Sequence, residues 1–341
     1  MQILAPLVVL AGLIAAVEGA CSGPNARTQP PTDAIVVDAT GAHNGSIRTV
    51  ADGVAKLSNT TAGRTLFVFP GVYEEQVIIP KLNGSLVVQG YTCDTTSYAA
   101  NEVTITHALA QGDIPASITR DRNDLTTTLR LRTDNVKIYN LNVANRAGKF
   151  KKDGQALAVS VVGNNSGFYA CNFTGYQDTL YENKGINLFA KTPISGAKDF
   201  IFGQTAKAWF ESCDIVSVGA GCITANGRDS DANPSEYVFN NTRVSGTTRP
   251  GTAFLGRPWQ SYTRVVWQNS ELSDIIHPHG WKKWEVVNTT NLYIKEYNNS
   301  GDGAATANRA KFSGVLAQPV PITDVLGENY KTAWWVDTTF L

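Results

Sequence analysis

Two aspartates in this chain fall at one phase of a repeat. Asp178 lies in Gly175-Tyr176-Gln177-Asp178-Thr179-Leu180, and Asp199 lies in Asp199-Phe200-Ile201-Phe202-Gly203, twenty-one residues later. Where a chain repeats at that period, equivalent residues of stacked coils sit one strand spacing apart, ~4.8 Å. Carboxyls that close cannot titrate independently, so one should keep its proton while the other ionises. The same phase gathers further chemistry. Gln155 and Gln177 supply neutral N–H donors of the kind that stabilise a developing oxyanion. Arg257 falls about two coils past Asp199, placed to hold it in a bidentate pair, ionised and aimed. Asp178, farther from the arginine and beside an anion, should be the protonated member.

An ionised carboxylate beside an acid and two amide donors points to acyl transfer on an ester, by nucleophilic attack with general-acid assistance. A serine esterase is excluded as the simpler reading. The chain has no Gly-x-Ser-x-Gly elbow, and none of its four histidines lies in these motifs. Around the cluster, Trp259 and, more weakly, Trp281 are candidates for stacking on a sugar, and Tyr176 is a candidate substrate contact. Arg228 nears the same column in a supporting role. Gly71-Val72-Tyr73-Glu74-Glu75 reads first as a turn into a strand.

The elements that must position these groups are short strands. Segments at Ala34 to Ala39, Thr65 to Phe69, Gln76 to Ile79, Ser85 to Gln89 and Thr128 to Val143 are rich in Val, Ile, Phe and Thr. A helix is expected only near the start, from Ser46 to Ala62. Six segments align on an inward pair: Leu141/Val143, Cys171/Phe173, Thr192/Ile194, Cys213/Ile215, Thr242/Val244 and Ser270/Leu272. Steps between the second members are 30, 21, 21, 29 and 28 residues. This pattern predicts an all-β chain, a right-handed single-stranded parallel β-helix with a short N-terminal helix. Pro193 stands against the scheme, since proline is disfavoured in a strand with neighbours on both sides. Asp178 and Asp199 lie sixteen residues before Ile194 and Ile215, and Gln155-Ala156-Leu157 stacks on Gln177-Asp178-Thr179.

Composition sets the remaining bounds. Lys plus Arg and Asp plus Glu both number 29, so no basic field exists to attract nucleic acid. Residues 3–17 form an apolar run too short to span a bilayer and followed by Gly19 and Ala20. They read as a secretory signal over 1–19, with one catalytic domain over 20–341. No later run is long enough to cross a membrane. Sequons at Asn44, Asn59, Asn83, Asn164, Asn240, Asn288 and Asn298 suit a secreted glycoprotein. Of five cysteines, Cys171 and Cys213 would stand two coils apart, ~9–10 Å, beyond disulfide reach. They read as buried small hydrophobes; the pairing of Cys21, Cys93 and Cys222 stays open. No cysteine pair has zinc-ligand spacing with histidines, and His277-Pro-His279 reads as a polar loop.

The motifs taken together resemble the pectin methylesterases (carbohydrate esterase family eight). They are Gly71-Val72-Tyr73-Glu74-Glu75, Gln155-Ala156-Leu157-Ala158, Gly175-Tyr176-Gln177-Asp178-Thr179-Leu180, Asp199-Phe200-Ile201-Phe202-Gly203 and Leu255-Gly256-Arg257-Pro258-Trp259. They occur in the family's order from about residue 34 onward, and the chain looks most like the compact fungal-type enzymes. The resemblance implies de-esterification of methylated polygalacturonan with release of methanol. It makes Asp199 the nucleophile, Asp178 the acid that later serves as base, and Gln155 and Gln177 the oxyanion site. Arg257 would orient Asp199, and Trp259 would touch the sugar. It implies no metal or organic cofactor, and the expected form is a monomer acting outside the cell. The 182–198 segment lacks the loop disulfide that some relatives carry. Two other readings remain: a β-helical enzyme cutting the pectin backbone, such as a polygalacturonase or lyase, and an inactive carbohydrate-binding β-helix. Paired carboxylates ~5 Å apart would also suit a retaining glycosidase.

Overall fold

The computed structural model describes residues 21–57, 61–149 and 152–341. The proposed signal segment and the sequon at Asn59 lie outside the described residues. Among those described, three parallel sheets of eleven, seven and eight strands run the length of the molecule. Each coil gives one strand to each sheet: Leu180–Glu182, Ile186–Ala190 and Ile194–Gly196 form one coil. Ile201–Gly203, Lys207–Glu211 and Asp214–Ser217 form the next. The register between them is Leu180 to Ile201, Phe189 to Phe210 and Ile194 to Ile215, so the period of twenty-one is one full turn. The coils wind right-handed, as parallel crossovers do.

The inward column expected from sequence is present. Val143, Phe173, Ile194, Ile215, Val244 and Leu272 are successive partners in the eight-stranded sheet, and none is exposed to solvent. The residue two before each follows a tight corner at which Asn140, Ala170, Lys191, Ser212, Asn241 or Asn269 takes a φ of +48° to +52°. Asparagine adopts this left-handed geometry most readily among residues with a side chain, which explains its recurrence at the corner. Pro193 sits between that corner and the strand Ile194–Gly196, and its carbonyl accepts the Phe173 N–H at 2.9 Å. The proline keeps that rung and forfeits the one its position donates in other coils, as the Asn172 N–H does to the Leu141 carbonyl. A second column is aromatic: Phe168, Phe189, Phe210, Phe239 and Trp267 stack with ring centroids 4.7, 4.8, 4.3 and 3.9 Å apart. Fully burying such a side chain contributes ~1.5–3 kcal/mol, so the two columns supply much of the core's cohesion.

Two expectations are corrected, and one open question is answered. Thr128 to Val143 is most of a coil rather than one strand, divided into Leu129–Leu131, Val136–Tyr139 and Asn142–Asn145 by corners at Asn135 and Asn140. The helix is Val50–Ala55 instead of Ser46 to Ala62. Ile47 is taken up by a parallel bridge to Val37, and the Thr49 side chain caps the helix by accepting from the Asp52 N–H. The helix start is also where Glu75 acts: its carboxylate oxygens accept the Val50 and Ala51 N–H groups, each at 2.8 Å. The Gly71–Glu75 motif is therefore a structural anchor. As for the cysteines, a disulfide joins Cys21 and Cys93, while Cys171, Cys213 and Cys222 are free and buried.

Outside the sheets, the C-terminal segment folds back over the outer face of the eleven-stranded sheet. Val325, Leu326, Trp335, Val336 and Phe340 cover Tyr139, Tyr169, Leu188, Trp209, Val238 and Val266. Among the sequons, the Asn240 amide is engaged with Glu211 and the Asn298 amide with Asn269, whereas Asn44, Asn83, Asn164 and Asn288 are exposed. No helix among the described residues is long and apolar enough to cross a membrane.

Candidate active site

The two aspartates occupy the corners that lead into adjacent strands of the seven-stranded sheet. Both take positive φ, +64° at Asp178 and +50° at Asp199, a conformation that aspartate tolerates better than most residues. Their register equivalents Leu157 and Cys222 do not share it, so at this corner backbone strain and stacking mark the same pair. Gln177 bridges Lys198 in parallel register, and the Asp178 N–H donates to the Lys198 carbonyl at 3.1 Å. One coil back, the Ala156 N–H donates to the Gln177 carbonyl at 3.0 Å, which sets Gln155 beside Gln177. Two coils on, register runs from Ile201 through Thr224 to Gly256 and brings Arg257 over Asp199.

The arrangement separates the two carboxyls electrostatically. Arg257 grips Asp199 with both ends of its guanidinium, Nε to Oδ1 at 2.8 Å and Nη2 to Oδ2. Such a fork pairs the carboxylate with a cation and fixes its plane. Asp178 has no arginine of its own. Burial, and then the neighbouring Asp199 charge, push its carboxyl well above the usual carboxylate range, while Lys198 and Arg257 oppose this only in part. The Asn123 side-chain amide lies 3.5 Å from Asp178 Oδ2. No hydrogen bond engages either the Gln155 or the Gln177 side-chain amide among the described residues, and Gln155 Oε1 is buried without a partner. These groups line one cleft of about 270 Å³, with Lys198, Phe202, Ala225, Trp259 and Trp284 completing its walls. Gly227 makes room for Trp259, since a Cβ there would sit 2.7 Å from the indole.

The cleft therefore brings together Gln155, Gln177, Asp178, Asp199, Arg257 and Trp259. It does not include two other candidates. Trp281 pairs with Gly256 on the ladder, so its indole turns into the core, where Nε1 donates to Glu296 at 3.1 Å. Of the two tryptophans in that segment, Trp284 is the one on the cleft, its ring centroid 3.9 Å from the Arg257 guanidinium carbon. Tyr176 packs against the Gly219 turn instead of the cleft, with a Cβ at Gly219 falling 2.8 Å from its hydroxyl. Arg228 is buried behind the site, donating to the carbonyls of Asp231, Asn233 and Tyr262, and ties the loop after Asn226 to the segment carrying Trp259. Asn123, Lys198 and Trp284 were missed by motif reading. The signal for Lys198 was available, since it shares the phase of Gln177. Elsewhere, the described residues bring Cys21, Cys93 and Glu102 within cation-binding distance, but the two sulfurs are joined to each other.

A parallel β-helix that carries an arginine-clamped carboxylate, a second buried carboxyl and unengaged amide donors on one face has groups of the kind that ester hydrolysis uses. Comparison with known proteins is specific. The pectinesterase family pattern matches residues 34–321. The pectinesterases of Aspergillus niger and Aspergillus aculeatus are 43% and 41% identical over 324 residues, covering 92% of this chain and 94% of each relative. The crystal structure of the Aspergillus niger pectin methylesterase aligns with a TM-score of 0.83 at 37% identity, over 92% of this chain and 100% of that one. Carrot pectin methylesterase aligns at 0.80 and 26%, over 91% and 98%. The chain belongs to the pectinesterase family, the carboxylic ester hydrolases that act on the methyl esters of pectin.

Proposed function

We propose that Asp199 is the nucleophile in hydrolysis of galacturonate methyl esters along methyl-esterified polygalacturonan. One Asp199 oxygen adds to the ester carbonyl, and the Gln155 and Gln177 amides donate to the oxygen that takes up the negative charge. Collapse expels the methoxy group as Asp178 gives it a proton, so methanol leaves and a galacturonyl anhydride remains on Asp199. Water then attacks the anhydride. Asp178, now ionised, accepts its proton, and the C–O bond to Asp199 breaks, restoring both carboxyls and leaving a free galacturonate. Trp259 and Trp284 offer apolar faces for the sugar rings.

The observation that carries this reading is the division between the two carboxyls, one clamped by Arg257 and the other buried, without an arginine of its own and with its proton affinity raised. A backbone-cleaving enzyme would gain nothing from two unengaged amide donors beside the nucleophile. The test is methanol release from highly methylated pectin, with new reducing ends measured in parallel. Methanol without reducing ends is the expected result; reducing ends, or tight pectin binding without methanol, would overturn it. Asp199→Asn should abolish turnover with an unchanged circular dichroism spectrum, and near-normal activity in that folded variant would remove Asp199 from the nucleophile's role. The exposed sequons and the apolar amino-terminal run support action outside the cell, testable by recovery of the protein from culture medium; a monomer is expected on sedimentation.

A further inference from the structure

The loop over residues 108–126 enters the site without belonging to the repeat. It holds little regular structure, a 3-10 turn at Gln111–Asp113 and a short helix at Arg122–Leu125. Its order comes from one guanidinium. Arg122 donates through Nη1 to the Pro115 and Ile118 carbonyls at 2.9 and 2.6 Å. Through Nη2 it donates to those of Gln111 and Ile114 at 2.9 and 3.0 Å. Four carbonyls on a rigid planar cation cross-brace the loop.

Several hydrogen bonds fasten the braced loop to the coils, and two of them flank Asn123. The Gln111 N–H donates to the Gln155 carbonyl at 2.8 Å. The Thr126 hydroxyl donates to the Asn123 carbonyl at 2.7 Å and accepts the Leu157 N–H at 3.0 Å. Between these anchors Asn123 reaches Asp178. Its Oδ1 accepts from Gln111 Nε2, and this bond decides which end of the amide faces which neighbour. With Oδ1 committed to Gln111, Nδ2 is turned to Asp178 Oδ2, 3.5 Å away.

We propose that Asn123, oriented by Gln111, is a positioning residue that sets where the Asp178 proton resides and how readily it leaves. The inference rests on the reading of Asp178 as the acid. A donor against Oδ2 leaves the proton on Oδ1, the oxygen free to face the departing group. Once the proton is given up, the same amide holds the anion by a charge-assisted bond. The charged groups facing Asp178 are Asp199, Lys198 and Arg257; Asn123 adds a neutral donor from the loop side.

The experiment compares wild type with Asn123→Leu, which keeps the volume but has no donor, and with Gln111→Leu, which frees the Asn123 amide to flip. Losing a donor to the anion raises the proton affinity of Asp178. The alkaline limb of kcat on methylated pectin should therefore move up by roughly one pH unit in Asn123→Leu, and by less in Gln111→Leu. Maximal kcat should fall roughly 10-fold with KM little changed. Carbon-13 NMR titration of the Asp178 carboxyl, assigned by its loss in Asp178→Asn, reads the same shift without turnover. An Asp178 titration and alkaline limb unmoved in both variants would overturn the proposal, as would an activity loss equal at every pH and matched by loss of thermal stability. A wild-type protein that releases no methanol yet shows the titration shift would sink the esterase reading and leave this one standing.

Discussion

At the scale of single residues, the proposed chemistry depends on holding two adjacent carboxyls in opposite states, and the neighbours that would do so are testable one at a time. Arg257 contributes a fork and a flat cation stacked on Trp284 as well as its charge. Lysine would retain only the charge. Arg257→Lys should lower kcat/KM roughly 30-fold, about 2 kcal/mol of lost transition-state stabilisation, with an unaltered fold; activity within about twofold of wild type would show that charge alone suffices. Lys198 acts on the other carboxyl. It lowers the proton affinity of Asp178, so Lys198→Met should raise it, and because acylation needs that proton the alkaline limb of kcat should extend upward by roughly half a pH unit. A downward movement would contradict the assignment of Asp178 as the acid. Much of this constellation was legible in the sequence because its members share the phase of the repeat. Trp281 and Trp284 were not distinguishable, being three residues apart in Gly280-Trp281-Lys282-Lys283-Trp284. Glu296, which receives the Trp281 indole and is held by Arg309, decides which ring turns inward, and that contact is invisible to local pattern. Asn123 lies 55 residues before Asp178 on a loop that breaks the period, so no spacing argument reaches it.

At the scale of the coil, the phase was readable and the boundaries were not. The inward column repeats apolar residues at one position per turn, a signal that survives loops of varying length. Corners are marked only by a backbone conformation, and Ala170, Lys191 and Ser212 adopt it without the asparagine that would announce it. The coil also carries a pH sensitivity apart from catalysis. Glu182, the last residue of Leu180–Glu182, is fully buried; its Oε1 accepts from Asn187 and its Oε2 has no partner. Burial raises its carboxyl well above the usual carboxylate range. A carboxyl that binds its proton more tightly folded than unfolded gives stability that is complete below about pH 4.5 and lost as pH rises through the folded value. Glu182→Gln removes that proton linkage. The variant should match wild type near pH ~4 and be more stable by roughly 2 kcal/mol near pH ~8, read from thermal unfolding across the range. Asp178 has the same sign, so part of the slope should persist. A wild-type curve and a Glu182→Gln curve of equal slope would place the linkage elsewhere.

At the scale of the whole molecule, a stack of coils leaves the outer face of each sheet to be reconciled with water, and one of the three is apolar. Tyr139, Tyr169, Leu188, Trp209, Val238 and Val266 form a band across the eleven-stranded sheet that no repeat covers. The C-terminal segment covers it, with Trp335, Val336 and Phe340 seated on the band and Tyr169 at the join. The Tyr169 hydroxyl donates to the Trp335 carbonyl at 2.7 Å and accepts the Asp337 N–H at 2.8 Å. Sequence reading assigned this segment no task, because its residues have no period and find their partners more than a hundred and fifty positions away. An uncovered apolar band on a β-structure invites association, so the segment serves stability and solubility, on a face separate from the cleft. Phe340 is the sharpest probe, buried against Tyr139 and Tyr169 with ring centroids 6.2 and 5.1 Å away. Phe340→Ala should cost about 3 kcal/mol and lower Tm by roughly 5 °C while leaving kcat on methylated pectin unchanged well below the transition. Deleting residues 320–341 should go further, giving a β-structured chain that self-associates. A variant with normal Tm would mean that the band is stable in water without its cover. A Phe340→Ala protein of normal stability but depressed kcat would instead couple the strap to the cleft, against the separation of the two faces.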